Sequence, residues 1–303
     1  MIRDDKQPAA ESLPVRQQVQ LTKPLYEKRK AIISQIPGFW PLVLEQAPPD
    51  IDEYIQPTDS AVLLSSLTSL SVSRFEVDDE GNGEPRSVAI RWEFAENDYF
   101  EDRVIEKKFW FRRSKANWTA LVSEPVDIKW KEGKDLTEGL LGLAKAVWDE
   151  EQANGTNGAK SKGKGLTTKQ KALKEKIDSI GLGSLSFFAW FGFRGDPISA
   201  EESKAATQEE KERRQRRAAG EEVVTPASKD EEEEEEDEEN ESLEIFPGGD
   251  QLAVAISDDL WPGAIKFFSK SRFSPAPVFP HWCGLWWTML TPPPSASPRR
   301  RGA

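Results

Sequence analysis

The chain has 303 residues, a hydrophobic content of 37% and a net charge of −12. This length suits one sizeable domain or two small ones. One Cys and one His leave almost no material for a disulfide framework, a His/Cys metal site or a Cys–His nucleophile pair. No apolar run approaches the roughly 20 residues that a membrane helix needs. We therefore expect no metal, no cofactor, no catalytic residue and no membrane association.

The first predicted element is a helix over residues 15–36, which follows a polar and disordered segment over residues 1–14. Pro24 lies inside this helix and is expected to kink or divide it. On periodicity alone the helix either packs on the core of its own domain or pairs with a second subunit. The candidate apolar positions for such a seam are Leu21, Leu25, Ile32 and Ile33.

A stretch over residues 87–130 is expected to organise the fold. Apolar residues alternate with other types in its first part, which is typical of a half-buried strand. Residues 104–111 are rich in aromatic and β-branched side chains and predict the next strand, while residues 67–77 predict the strand before. Residues 96–102 are too many for a two-residue hairpin, so they predict a wide loop with four carboxylates. The alternating apolar residues are Val88, Ile90, Trp92 and Phe94.

The second half of the chain changes between globular and low-complexity composition. Helices are predicted over residues 137–152 and 169–180, and residues 186–191 hold four aromatic side chains, which is typical of a core or an interface. Residues 196–250 predict a disordered insertion. The tail over residues 271–303 is rich in Pro and Trp. We interpret it as a disordered partner-binding tail or as a translated artefact of the gene model.

Opposite charges are concentrated in two runs of this insertion. Residues 211–217 are basic, and eleven of the twelve residues 230–241 are acidic. Nearly all of the net charge is therefore a local property of one tract, not of the whole surface. Blocks of like charge repel one another and often serve as interaction tails.

Four parts of the chain together resemble the nucleosome assembly protein (NAP) family, most closely its SET-like branch of fungal type. Their order and spacing match the family over about residues 20–270. Each part alone is a weak signal, but the four together are highly specific. They are LYEKR with IPGFW (25–29, 36–40), FAENDYFE (94–101), IKWKEGKDLT (128–137), and SFFAWF with DDLWP (186–191, 258–262).

The resemblance implies an α+β fold of NAP type. An N-terminal dimerisation helix, residues 15–36, is followed by a histone-binding domain over residues 37–270. That domain has a four-stranded antiparallel sheet with helices on its underside, and two subunits form a headphone-like dimer. The chain departs from the family in three respects. Its dimer helix is short, its acidic run precedes residues 258–262, and its tail is not acidic.

The implied function is that of a histone chaperone, which binds core histones through an acidic face and an acidic tract and takes part in nucleosome assembly and disassembly. For each face residue a solvated surface charge is the alternative, and Asp258 also suits a turn cap. The candidates on the folded face are Glu96, Asp98, Glu101, Asp102, Asp135, Glu138, Asp258 and Asp259. Those in the tract are Asp230, Glu231, Glu232, Glu233, Glu234, Glu235, Glu236, Asp237, Glu238, Glu239 and Glu241.

The expected partners are core histones and a second copy of the chain, without sequence-specific binding of nucleic acid. Histone-modifying enzymes are a further class of partner that the sequence leaves open. The basic run over residues 211–217 is typical of a nuclear import signal. It predicts a nuclear protein that shuttles with the cytoplasm. Two other functions stay open: a nuclear scaffold that associates with nucleic acid through its basic runs, and a carboxylate-based hydrolase. The import candidates are Arg213, Arg214, Arg216 and Arg217.

Overall fold

A computed structural model describes residues 8–116, 118–154, 166–181, 185–218 and 243–273. The elements within these ranges lie in the order α1 (Pro8–Ile33), α2 (Phe39–Leu44), α3 (Pro49–Asp52), α4 (Pro57–Ser66), β1 (Leu67–Ser73), β2 (Val88–Phe94), β3 (Val104–Arg113), β4 (Thr119–Ser123), α5 (Leu140–Ala153), α6 (Thr168–Ile180), a 3₁₀ segment (Phe187–Gly192), α7 (Ala200–Ala218), α8 (Gly249–Ala255), a π-helical turn (Ile256–Leu260) and α9 (Ala264–Phe273).

The four strands form one antiparallel sheet in the order β1-β2-β3-β4. Each strand therefore pairs with its neighbour in sequence, and β1 and β4 are the edges. The period-2 pattern of β2 predicts which side chains face the core, and Ile90 and Trp92 are indeed buried. The predicted α+β class and the four-stranded antiparallel sheet are confirmed.

An aromatic layer fills the space beneath the sheet. The 3₁₀ segment Phe187–Gly192 is buried at every position. The Trp92 ring of β2 lies 5.3 Å from the Phe187 ring, and the Phe109 ring of β3 lies 5.3 Å from the Trp190 ring. Aromatic pairs at such distances add specific packing energy to the large area that they bury. The predicted aromatic run is thus the centre of the core.

A lysine joins this layer to the sheet. Lys107 of β3 is fully buried, and its Nζ donates hydrogen bonds to the backbone carbonyls of Glu124, Phe191 and Phe193 at 2.9–3.0 Å. Burial lowers the pKa of Lys107 to about 7, and the charges of Glu244 and Glu124 oppose that shift. Because a buried polar group must find partners, this side chain fixes the 3₁₀ segment against β3.

Helix α1 is longer than predicted and is not divided. It begins at Pro8, within the segment expected to be disordered, and it continues through Pro24 to Ile33. Proline removes one backbone donor, and the helix contacts the rest of the domain on both sides of Pro24. Lys23 Nζ lies 2.7 Å from an oxygen of Asp79, and the Tyr26 ring lies 4.1 Å from that of Trp261.

Residues 200–218 correct the expectation of a disordered insertion over 196–250, because they form helix α7. The helix is anchored on β3, where the backbone N–H of Arg113 donates to the Ser203 hydroxyl at 3.0 Å. Ala206 is buried. The acidic tract and the rest of the insertion through residue 242 lie outside the described residues, as does the predicted tail from residue 274 onward. Across the described ranges, no helix combines the length and apolarity needed to cross a bilayer.

Candidate acidic binding site

Two loops beside the sheet form one rigid unit, which we call the acidic loop pair: residues 95–103 and 127–138. Phe100 and Trp130 form an isolated antiparallel bridge. Beside it the backbone N–H of Glu101 donates to Lys129 O at 2.9 Å, and that of Lys131 donates to Tyr99 O at 2.8 Å. The loop after β2 thus continues into a short ladder with a segment about 30 residues later in the chain.

Phe100 is the anchor of this unit. Its side chain is buried, and its ring lies 5.0 Å from Phe94, 5.7 Å from Trp130 and 5.7 Å from Phe188. Asn97 fixes the turn before it, because its Oδ1 accepts hydrogen bonds from the backbone N–H groups of Tyr99 and Phe100. The loop therefore presents its charges from a fixed backbone.

Carboxylates outnumber cations on the loop pair by eight to four. Six of the eight were candidates from the sequence, whereas Asp127 and Glu132 were not. The carboxylates are Glu96, Asp98, Glu101, Asp102, Asp127, Glu132, Asp135 and Glu138, and the cations are Arg103, Lys129, Lys131 and Lys134.

Three of these carboxylates are exposed without an ion pair or hydrogen bond to the described residues: Asp98, Glu101 and Glu132. Glu96 instead lies 3.2 Å from Arg103. Asp102 accepts a hydrogen bond from the backbone N–H of Lys129 at 2.7 Å, so it helps to join the two loops. Asp98 and Glu101 are therefore the candidates that keep their full capacity for a partner.

Asp135 and Glu138 occupy the turn before α5. Asp135 accepts hydrogen bonds from the backbone and hydroxyl of Thr137 and from the N–H of Gly139, at 2.7–2.8 Å. Its oxygens are therefore already used to shape the turn. Glu138 is exposed, has a positive φ of 53°, and lies 3.9 Å from Lys176.

Asp258 and Asp259 do not lie on the loop pair. They belong to the π-helical turn, and Asp258 accepts a hydrogen bond from Arg74 at 2.5 Å. Arg74 follows β1 at the end that pairs with the start of β2, whereas the loop pair follows the end of β2. The two groups of carboxylates are therefore at opposite ends of the sheet. Of Asp258 and Asp259, only the side chain of Asp259 is free of a described partner.

The π-helical turn instead meets α1. The guanidinium carbon of Arg29 lies 4.6 Å from the Tyr26 ring centre and 4.4 Å from that of Trp261. Arg29 Nη1 also donates to the carbonyls of Trp261 and Pro262 at 2.7 and 3.3 Å. We call these contacts the Arg29 clamp. Stacked and hydrogen-bonded arginine is not replaceable by lysine.

The predicted seam of α1 is only partly on one surface. Leu21, Leu25 and Ile32 are 73%, 60% and 63% exposed, whereas Ile33 is 8% exposed and packs in the core of its own chain. Successive residues of a helix are about 100° apart, so Ile32 and Ile33 lie on different faces of α1. Because Ile33 packs in the core of its own chain, it is not available to a seam. Three large apolar side chains remain uncovered along one face of α1.

The import candidates lie on α7 rather than on a flexible segment. Arg213 pairs with Glu210, and Arg214 Nε lies 2.8 Å from the same carboxylate. Arg216 and Arg217 are exposed in the last turn. Among the residues that the structure describes, no group of three or more His, Cys, Asp or Glu side chains is arranged to hold a metal ion.

Comparison with known proteins shows the family to which the chain belongs. The profile of the nucleosome assembly protein (NAP) family matches residues 2–271. The chain belongs to the nucleosome assembly protein family.

Individual NAP relatives match over shorter stretches. A nucleosome assembly protein of Schizosaccharomyces pombe is 38% identical over 132 residues, which cover 40% of this chain and 52% of the relative. Protein SET of Drosophila melanogaster is 30% identical over 193 residues, which cover 60% of this chain and 54% of that protein. The matched part of the chain thus spans about half the length of these curated relatives.

A solved structure extends the match to most of the NAP fold. The crystal structure of Vps75 superposes with a TM-score of 0.52 at 20% identity, covering 87% of this chain and 92% of that chain. At this identity the likeness shows the fold. The four sequence parts that carry the NAP resemblance meet in pairs within it. LYEKR contacts DDLWP through the Arg29 clamp, and FAENDYFE pairs with IKWKEGKDLT in the acidic loop pair.

Proposed function

We propose that this NAP-family chain is a histone chaperone. It binds core histones through the acidic loop pair and the tract over residues 230–241, and it takes part in nucleosome assembly and disassembly. The family supports this proposal, as do relatives named as a nucleosome assembly protein and as SET. The observation that carries it is the pair Asp98 and Glu101, two exposed carboxylates without described partners on a fixed loop.

The chemistry of the loop pair suits a basic protein partner. Histones are rich in Lys and Arg, and charge-assisted hydrogen bonds between such cations and carboxylates are among the strong polar contacts of proteins. A carboxylate that already holds an intramolecular partner gains less from a new one. Asp98 and Glu101 are therefore expected to contribute more than Glu96, Asp102 or Asp135.

The acidic tract has a different role in this proposal. Eleven negative charges in twelve residues attract basic proteins at long range without fixed geometry, which raises the association rate. The loop pair then supplies short-range contacts. Histone-modifying enzymes are a further class of partner in this proposal, because they act on the same histones.

We further propose that the chaperone acts as a homodimer in the nucleus. Leu21, Leu25 and Ile32 leave an apolar row on α1 that a second copy of α1 would cover. Such rows at helical spacing are the usual seam of paired helices. The nuclear location is inferred from the nucleosome assembly relatives and from Arg216 and Arg217, which are exposed for an import receptor.

The decisive experiment compares two variants with equal changes in charge. In the site variant, Asp98→Asn is combined with Glu101→Gln. In the control, Asp52→Asn is combined with Glu53→Gln, which are exposed carboxylates around the end of α3. Binding of labelled core histones is measured by fluorescence at physiological salt. We expect the site variant to bind several-fold more weakly and the control to match the wild type. Equal affinities for all three proteins would refute the role of the loop pair.

A further inference from the structure

The end of α7 carries an arginine surface that the proposed function does not use. Its last five described side chains before Ala218 are RRQRR, four cations without a carboxylate. Within the described part of the chain, Arg216 and Arg217 are exposed and have no ion pair. Cations in the last turn of a helix also interact favourably with its dipole. We call residues 213–217 the arginine end of α7.

This surface has a fixed position on the domain. Helix α7 is held on β3 by the Ser203 hydroxyl, which accepts from Arg113 N at 3.0 Å, and by the burial of Ala206. Close to the arginine end, Arg113 is buried. Burial lowers the pKa of Arg113, the charge of Glu210 opposes this shift, and the charges of Arg214 and Arg213 on α7 add to it. The arginine end is therefore a rigid, positively charged feature on an acidic protein.

The charges around it are not balanced locally. Glu210 is the carboxylate that pairs with Arg213 and Arg214. Arg86, whose guanidinium lies over the Phe111 ring at 3.6 Å, is paired with Glu84. On α7 itself, one carboxylate thus serves two arginines, and the two exposed arginines of the last turn add further positive charge. An anionic partner would find several cations that are already held in place.

The chain supplies such a partner nearby. Eleven residues, 219–229, separate the end of α7 from the acidic tract over 230–241. A tether of eleven residues reaches at most about 40 Å. It holds the tract at an effective concentration in the millimolar range. Few free polyanions reach that concentration, so charge complementarity and tether length favour the same occupant.

We propose that the acidic tract of this chain docks on the arginine end of α7. This contact goes beyond histone binding and makes the tract a ligand of its own domain. A basic protein must then compete with the arginine end for the tract. The docked tract also shields Arg216 and Arg217 from other polyanions, including DNA.

Energy transfer between two dyes in the full-length chain tests the contact directly. With Cys283→Ser as background, one dye is attached at Gln208→Cys on the exposed side of α7 and the other at Glu235→Cys in the tract. The Debye length falls from about 10 Å at 0.1 M salt to about 3 Å at 1 M. We expect the transfer efficiency to fall about twofold or more over this range. An efficiency that is independent of salt would overturn the proposal.

Two matched variants locate the docking surface. Arg216→Gln with Arg217→Gln removes two exposed cations from α7, and Lys171→Gln with Lys174→Gln removes two exposed cations from α6. The first pair is expected to abolish the salt-dependent change in transfer, whereas the second retains it. Circular dichroism verifies that both variants keep their helix content. The same response from both variants would contradict docking at the arginine end.

Duplex DNA separates this proposal from its alternative. A short duplex added at about 0.1 M salt is expected to leave the transfer efficiency unchanged and to bind weakly. DNA binding that is lost in the α7 variant, together with low transfer in the free protein, would make DNA the occupant and refute the docked tract. Because no histone is present, the result is independent of whether the chain is a chaperone.

Discussion

The Asp59 carboxylate accepts a hydrogen bond from the Ser186 hydroxyl at 2.5 Å, which joins the first turn of α4 to the aromatic segment 127 residues later. The same carboxylate accepts from the backbone N–H groups of Phe187 and Gln56 at 2.7 and 3.0 Å. Burial raises the pKa of Asp59, and these three hydrogen bonds oppose the shift. One buried side chain thus caps a helix and positions the centre of the core.

Replacing Asp59 by Ala is expected to lower the free energy of unfolding by about 3 kcal/mol, since it removes a helix cap and leaves two buried donors without a partner. Urea denaturation measures the change. The control Asp52→Ala alters an exposed carboxylate of α3 and should change stability by less than about 0.5 kcal/mol. A loss for Asp59→Ala no larger than that of the control would show that the bridge to Ser186 is not stabilising.

Lys107 makes stability depend on pH. Its pKa is lowered to about 7 in the folded chain, whereas an unfolded lysine titrates near its usual value of about 10.4. Between these values the unfolded chain binds more protons, so the contribution of Lys107 to stability increases with pH, by up to about 1.4 kcal/mol per pH unit. Unfolding of wild type and Lys107→Met is compared at several pH values above 7.

In that comparison, the wild type should gain stability relative to Lys107→Met as the pH rises. The two curves differ at every pH because Met leaves the carbonyls of Phe191 and Phe193 without their donor. The slope rather than the offset is therefore the test. Parallel curves from pH 7 to pH 10 would mean that Lys107 keeps its proton in the folded state throughout.

The apolar row on α1 predicts a dimer that charge disrupts. Leu21→Asp with Leu25→Asp places two carboxylates in the proposed seam, and the desolvation of unpaired charges opposes association. Light scattering at micromolar concentration should show a dimer for the wild type and a monomer for the variant. Val254→Asp, at an exposed apolar position of α8, serves as control and should remain dimeric. A monomeric wild type contradicts the seam.

Deleting residues 230–241 distinguishes the contribution of the tract to histone binding from that of the loop pair. The tract acts at long range, so its deletion should slow histone association and flatten the salt dependence but leave measurable affinity. The site variant Asp98→Asn with Glu101→Gln should instead accelerate dissociation, because short-range contacts govern the off-rate. Stopped-flow fluorescence measures both rates. Complete loss of binding on tract deletion at every salt concentration would leave the loop pair without a direct role.

The sheet was predictable from sequence because its signals are local. Alternation of apolar residues identified β2, and β-branched and aromatic residues identified β3. The state of each carboxylate was not predictable in the same way. Asp102 and Glu101 are neighbours of similar chemistry, yet Asp102 is occupied by the N–H of Lys129, 27 residues later. Only the pairing of the two loops decides which of them is free.

Helix α7 shows a second limit. It has few apolar residues, so its composition indicated disorder, but Ser203 accepts a hydrogen bond from β3 and Ala206 is buried. Lys107 is the converse case. A lysine in a strand suggests an exposed position, whereas three backbone carbonyls from distant segments surround this one. Long-range partners of single polar residues leave no periodic trace in a sequence.

The Arg29 clamp attaches α1 to the domain close to the C-terminal end of the helix. The helix has 26 residues and is therefore about 39 Å long, but its strong attachments are Arg29 and Ile33, close to one end. The ion pair of Lys23 with Asp79 is exposed and holds the middle only weakly. With a fulcrum at Arg29, a tilt of about 10° moves the first turn by about 5 Å. In a dimer joined along α1, such a tilt would shift the two domains by similar distances. The resistance of the Arg29 clamp to tilting of α1 would then govern the distance between the domains.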